Sequence, residues 1–165
     1  MVNEIKPMFT KVKATLEHAD RLSQHLSIED CNELVATGSL REDYELRDVR
    51  NLLRICVQFG GDVYTIIDRY NVPIMIGGVA EDMGYLGAGT VWMLTSKTAA
   101  MRPATERAEL LLLLTDHLNM SLQKYTKLHN VMWKKNTGHY RFLYHLGAQF
   151  REIQDKPDFL YFCFE

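Results

Sequence analysis

The stretch VMWKKNTGHYRFLYHLGAQF, residues 131–150, changes its apolar period more than once, and that change decides the fold class. Asn130 to Lys134 reads as a strand with Val131 and Trp133 on one side. Thr137 to Leu146 reads as a short helix carrying Phe142, Leu143 and Leu146, and Gly147 supplies its stop. Gln149 to Ile153 then returns to strand. A second strand, Phe159 to Phe164, follows a turn at Asp155-Lys156-Pro157-Asp158. Tyr161, Phe162 and Phe164 crowd that last strand. Alternation sends half of them inward to finish the core, and the other half would matter to a partner only if the strand lay at a sheet edge.

Upstream, Thr105 to Tyr125 is the strongest helix signal. Pro103 precedes it, Glu106 and Glu109 stand in its first turns, and Lys124 and Lys127 near its end suit the helix dipole. Five consecutive leucines, Leu110 to Leu114, make it apolar nearly all round, as for a helix packed hard on a sheet. Before it lie three strand candidates, Val63 to Ile67, Val72 to Ala80 and Thr90 to Thr95, β-branched and apolar. Gly84, Gly87 and Gly89 place a hairpin between the last two.

The amino-terminal third reads as one strand, Phe9 to Ala14, and three helices. Glu17 to Leu26 has Leu16, Ala19, Leu22 and Leu26 on one side. A second helix opens at Ser27 with a capping box, Ser27-Ile28-Glu29-Asp30, and stops at Gly38. The third, Arg47 to Phe59, ends at Gly60-Gly61.

Composition narrows the classes. With 165 residues, 47% hydrophobic and 24% charged, the chain has the make-up of one globular domain over 1–165, not of a disordered or fibrous protein. A net charge of −2 supplies no basic footprint for nucleic acid. Cys31, Cys56 and Cys163 stand too far apart for a CxxC pair and are expected as buried, reduced thiols. The six histidines show no metal-binding spacing. MVNEIKPMFT has no apolar core, so no signal peptide is expected, and no apolar run is long enough for a membrane span. A soluble intracellular domain is the expectation.

The resulting order, β-α-α-α-β-β-β-α-β-α-β-β, implies an α+β (or α/β) fold with a mixed central sheet and helices on both faces. This order resembles the GCN5-related N-acetyltransferase (GNAT) superfamily, whose domain has three layers. The run from Asn136 to Gly147 is similar to that family's strand-end asparagine, short helix and Leu-Gly turn, and Val12 to Gly38 is similar to its first strand and paired helices. Within the superfamily, VPIMIGG (72–78), the Trp92 strand ending in Thr95-Ser96, and residues 131–150 resemble a branch of phage proteins. That branch comprises the internal virion protein A of short-tailed coliphages and acyltransferase-like phage proteins.

The resemblance implies an acetyl-CoA site and shows what it would need. The family's pyrophosphate loop is glycine-rich, because side chains would block the backbone N–H groups that hold phosphate. The matching segment here, Ser96 to Glu106, has no glycine, and Pro103 removes a donor. Lys97 and Arg102 are the cations left to attract phosphate. The resemblance places the pantetheine arm against Met93, Leu94 and Thr95, with Asn136 at its pattern position. The family's tyrosine acid falls at Leu143. Tyr140, three residues earlier on the helix, faces more nearly the same way than Tyr144. A base is sought among Glu81 and Asp82, with His139 and His145 read as surface or interface groups. Tyr140 and Glu81 are thus the weak catalytic candidates.

The expectation is a phage protein with a GNAT-like fold, catalytically degenerate, serving as an internal or core virion component or assembly factor. Its partners would be other virion proteins, and its location the virion and, during assembly, the host cytoplasm. The alternatives are an active acetyl-CoA-dependent N-acyltransferase with a non-standard cofactor loop, and a module that holds CoA or another small ligand without turnover.

Overall fold

The computed structural model describes residues 5–165, so the first four residues of the segment read for a leader lie outside it. Twelve elements follow in the expected order: β1 (Phe9–Lys13), α1 (Leu16–Ser23), α2 (Ile28–Ala36), α3 (Leu46–Phe59), β2 (Asp62–Asp68), β3 (Pro73–Glu81), β4 (Ala88–Thr95), α4 (Ala104–Lys124), β5 (Lys127–Trp133), α5 (Thr137–His145), β6 (Gln149–Glu152) and β7 (Phe159–Phe164). They form one mixed sheet in the order β1-β2-β3-β4-β5-β7-β6. Among the described residues, only β4 and β5 run parallel, joined by the α4 crossover.

Helices cover the sheet unevenly. Ala19, Leu22, Val49 and Leu53 of α1 and α3 pack on Ile76 and Leu94 of β3 and β4. On the opposite face, Leu118 of α4 and Leu143 of α5 pack on Leu128 and Met132 of β5 and on Phe162 and Phe164 of β7. Trp92 locks α3 to the sheet: its indole Nε1 donates to the Gly60 carbonyl at 3.0 Å. A Cβ on Gly78 would lie 2.9 Å from that Nε1, so the glycine admits the ring.

Several expectations need correction. The first helix stops at Ser23; Leu26 instead bridges Ser96 by backbone pairing, and Leu16 faces solvent. At Ser27 only half of the capping box forms. The Ser27 hydroxyl accepts the Asp30 N–H at 3.2 Å, but the Asp30 carboxylate turns inward to other partners. In α4 the leucine run does not bury all round, since Leu110 and Leu114 are buried while Leu112 is exposed; a helix on one sheet face hides only one stripe. In β5 the inward face belongs to Leu128 and Met132, both wholly buried, while Val131 faces solvent. Finally, β7 is no edge. It lies between β5 and β6, so its backbone is paired on both sides and Tyr161 cannot template a partner strand.

Candidate functional site

The parallel pair β4 and β5 begins together and then diverges. Register holds at Ala88 with Lys127, Gly89 with Leu128 and Thr90 with His129, and ends there. Beyond that point the strands splay. A cavity of about 300 Å³ passes through the gap, lined by Val91 and Met93 of β4, Asn130 and Val131 of β5, and Leu143 and Leu146 near α5. A splayed strand pair presents backbone groups without partners, and buried backbone groups must find some.

Here the chain supplies its own partners. Asn130 Nδ2 reaches across from β5 to donate to the Val91 carbonyl at 2.9 Å. The Asp30 carboxylate, from α2, accepts the Thr95 N–H at 2.7 Å and the Thr95 hydroxyl at 2.9 Å. Glu33, one turn further along α2, accepts the Trp133 N–H at 2.9 Å. Asn136 caps α5 through its Oδ1, which accepts the His139 N–H, while its Nδ2 donates to Glu33 at 2.6 Å and to Asp30 at 3.1 Å. His139 Nδ1 lies 2.9 Å from Glu33. Two carboxylates of one helix thereby tie the separated ends of β4 and β5 to α5.

Electrostatics follow from those bonds. Burial opposes ionisation of Glu33, yet its bonds from His139, the Trp133 N–H and Asn136 outweigh burial and hold its carboxyl below the usual range. A buried carboxylate with several donors is stable as a structural anion and is poorly suited to take a proton from a substrate.

The segment after β4 is just as closed. The N–H of Ser96 donates to the Ile74 carbonyl, that of Lys97 to His25, that of Ala99 to Ser96, that of Met101 to Thr98 and that of Arg102 to Ala99. The Thr98 N–H goes to the Ser96 hydroxyl. Donors folded back on the chain are not available to a pyrophosphate. Arg102 is turned away as well. Its guanidinium pairs with Asp68 at 2.9 Å and Glu106 at 3.3 Å and lies 5.2 Å over the Phe9 ring. Pro103, the N-cap of α4, makes no side-chain cap bond, so the first-turn N–H groups of α4 are uncapped; the loop before them, however, offers neither a glycine nor a free arginine to the phosphates of CoA.

The remaining candidates are dispersed. Met93 leans on the α4 side of the sheet and Leu94 on the α1–α3 side. Leu143 is buried beside the cavity, where an acid was sought. Tyr140 packs its ring 4.5 Å from Phe150, toward β6. Glu81 is exposed at the end of β3, opposite Gly89. Lys97 is exposed. Asp82 closes its turn by accepting the Gly84 N–H and contacts His129 at 2.6 Å. Sequence reasoning missed Glu33 altogether and took His139 for a surface group. The available signal was the pair Asp30 and Glu33 at i and i+3, which shares a helix face.

Comparison with known proteins identifies the family and the fold. The family model described as "Bacteriophage T7, probable scaffold protein Gp13" matches residues 65–154, more than half of the chain. The chain belongs to this phage family. The "Probable scaffold protein gp13" of Escherichia phage T7 is 32% identical over 87 residues, which is 52% of this chain and 57% of that protein. The chain therefore spans little more than half the length of this relative. Among solved structures, a GNAT-family acetyltransferase from Bacillus anthracis superposes with a TM-score of 0.67 at 11% identity, covering 96% of this chain and 95% of that one. A GCN5-related N-acetyltransferase from Brucella melitensis does so at 0.63 and 14% identity, covering 96% and 76%. At such identities the likeness is one of fold, and the fold is GNAT.

Proposed function

We propose that this protein is an assembly or virion component, internal or core, built on a GNAT domain spanning residues 1–165 that no longer transfers acetyl groups. The observation that carries the reading is the closure of the β4–β5 gap by Asp30, Glu33, Asn130 and Asn136, together with the bonding within the chain of the N–H groups of Ser96, Lys97, Thr98, Ala99, Met101 and Arg102. An acyl-CoA would have to break several buried hydrogen bonds, each costing about 1–3 kcal/mol when left unmade. The T7 relative is described as a scaffold protein. By extension the partners of this chain are other phage virion proteins, met in the host cytoplasm during assembly.

An N-acyltransferase with a rebuilt cofactor loop is the second reading, favoured by one observation. The cavity through the splay is open enough, at about 300 Å³, for a small ligand. In that reading Met93, Leu94, Thr95 and Asn136 line the arm of the cofactor, Arg102 leaves Asp68 for phosphate, and Tyr140 or Glu81 moves protons. Titration calorimetry with acetyl-CoA and with free CoA separates the two. The assembly reading expects no heat at millimolar ligand. Micromolar binding, about −8 kcal/mol, overturns it.

A further inference from the structure

The helical layer α1–α3 covers β2–β4 and reaches β5 only through α2, whose Glu33 accepts the Trp133 N–H; no residue of β5, β7 or β6 joins its core cluster. Cross-strand register defines what this β5–β7–β6 face presents. Val131, Tyr161 and Arg151 stand in one row across β5, β7 and β6, and Trp133 and Phe159 form the next row. The opposite parity, Met132, Leu160 and Phe162, points into the core with α4 and α5. This face is thus aromatic and aliphatic and half-buried: Val131 is 37% exposed and Arg151 is exposed, Trp133, Phe159 and Tyr161 are partly exposed, and Cys163 at its end beside His129 is buried.

Two of its cations are held against rings. Lys127 lies 4.6 Å over the Tyr85 ring and 5.9 Å from that of Tyr161, and Lys135 lies 5.7 Å over Trp133. Among the described residues, Arg151 and Lys135 have no ion-pair partner. The acids nearby are mostly engaged already: Asp82 with His129, Glu33 with His139 and the Trp133 N–H, and Glu152 with Lys134, while Glu165 lies beside Cys163. Lysines seated over rings in this way cover the ring faces. That arrangement suits carboxylates and aliphatic side chains; it obstructs nucleic-acid bases, which need the ring faces for stacking.

The geometry points to the β5–β7–β6 face as a docking surface for an acidic, apolar polypeptide segment of another protein. The inference rests on the assembly reading and names the class of partner that reading requires. Charge complementarity supplies orientation and encounter rate, and burial of Val131, Tyr161 and Trp133 supplies the affinity.

The probe is a fluorescein-labelled peptide of about ten residues alternating Glu and Leu, long enough to run along β5. Fluorescence anisotropy with the full chain at low salt is expected to show saturable binding that weakens as salt rises. A Lys127→Glu, Arg151→Glu double variant should bind about tenfold more weakly, and Val131→Asp is a second variant on the same face. Unchanged thermal unfolding shows that each variant is folded. A Lys-Leu peptide should not bind. No saturation by the acidic peptide, equal binding by the folded variants, or preference for an oligothymidine of similar length overturns the inference. Acetyl-CoA calorimetry on the same preparation reports separately: uptake of the cofactor sinks the assembly reading, whatever the peptide does.

Discussion

Asp30 and Thr95 are joined twice, the carboxylate accepting both the backbone N–H at 2.7 Å and the hydroxyl at 2.9 Å. The same carboxylate also accepts from Asn136 at 3.1 Å. Asp30→Ala would leave the Thr95 N–H and one donor contact of Asn136 without a partner in a buried setting. Loss of about 2–4 kcal/mol is expected, measured by urea unfolding. Asp30→Asn, which retains an acceptor oxygen, should cost less. Equal stability of Asp30→Ala and the native chain would show that the splay is not held by this group.

Asn136 is both the cap of α5 and the donor to Asp30 and Glu33. Asn136→Ala removes the cap and leaves two buried carboxylates short of a partner. The expected loss is about 2–4 kcal/mol, larger than for Asn136→Asp only if carboxylate repulsion is weak. Asn136→Asp instead sets a third acid beside Glu33 and Asp30, so it should be at least as damaging near neutral pH. Comparing the two variants at pH 7 and pH 5 tests this, with Asn136→Asp recovering stability at the lower pH.

His117 lies on α4 with its Nδ1 3.0 Å from Lys11 Nζ and its ring 4.1 Å from that of Tyr64. Burial, reinforced by Lys11, pushes its pKa down to about 4 from 6.5. The native state therefore resists the proton that the unfolded chain takes up. Stability is full above pH 6.5 and falls as pH drops toward 4. After allowance for screening at this half-buried site, the contribution is on the order of 1–2 kcal/mol. Thermal midpoints of native protein and His117→Gln between pH 7 and pH 4 should converge, since glutamine cannot charge. Parallel curves would remove His117 from the acid response.

Arg102 ties α4 to β2 through Asp68, which also accepts the N–H groups of Tyr70 and Val72. Burial disfavours the Asp68 anion, but these donors and Arg102 together keep its carboxyl low. Arg102→Ala should destabilise the fold by about 2–3 kcal/mol by leaving that buried acid short of its cation. Arg102→Lys should recover only part, because a single ammonium cannot span Asp68 and Glu106 as the guanidinium does. A variant lacking Arg102 that unfolds with the native chain would make the residue free for another role.

Gly61 occupies the left-handed region at φ +89, and a Cβ there would lie against the Val79 carbonyl oxygen and 2.7 Å from the Ala80 Cα. Gly61→Ala should cost about 2 kcal/mol or more, from backbone strain and contact with backbone that cannot move aside. Gly38, also left-handed but with open space around its Cα, should tolerate alanine better. Chemical unfolding of the two variants gives the comparison.

The order of the elements was legible because it rests on local information. Ser27 as a cap, Gly38, Gly60-Gly61 and Gly147 as helix stops, and the glycines of the β3–β4 hairpin all act within a few residues of where they stand. The absence of glycine from 96–106 and the leucine at 143 were likewise visible in the chain alone. Tertiary structure decided what depends on partners distant in sequence. Val131 and Met132 are equally apolar, and only the packing of α4 and α5 on one face buries the second and exposes the first. Strand order put β7 inside the sheet, where local alternation is silent. Asp30 read only as the acid of a capping box and Glu33 carried no reading, because hydrogen bonding between side chains and distant backbone is set by approach in space. Their partners Thr95, Trp133 and Asn136 come within reach only when β4 and β5 splay beneath α2.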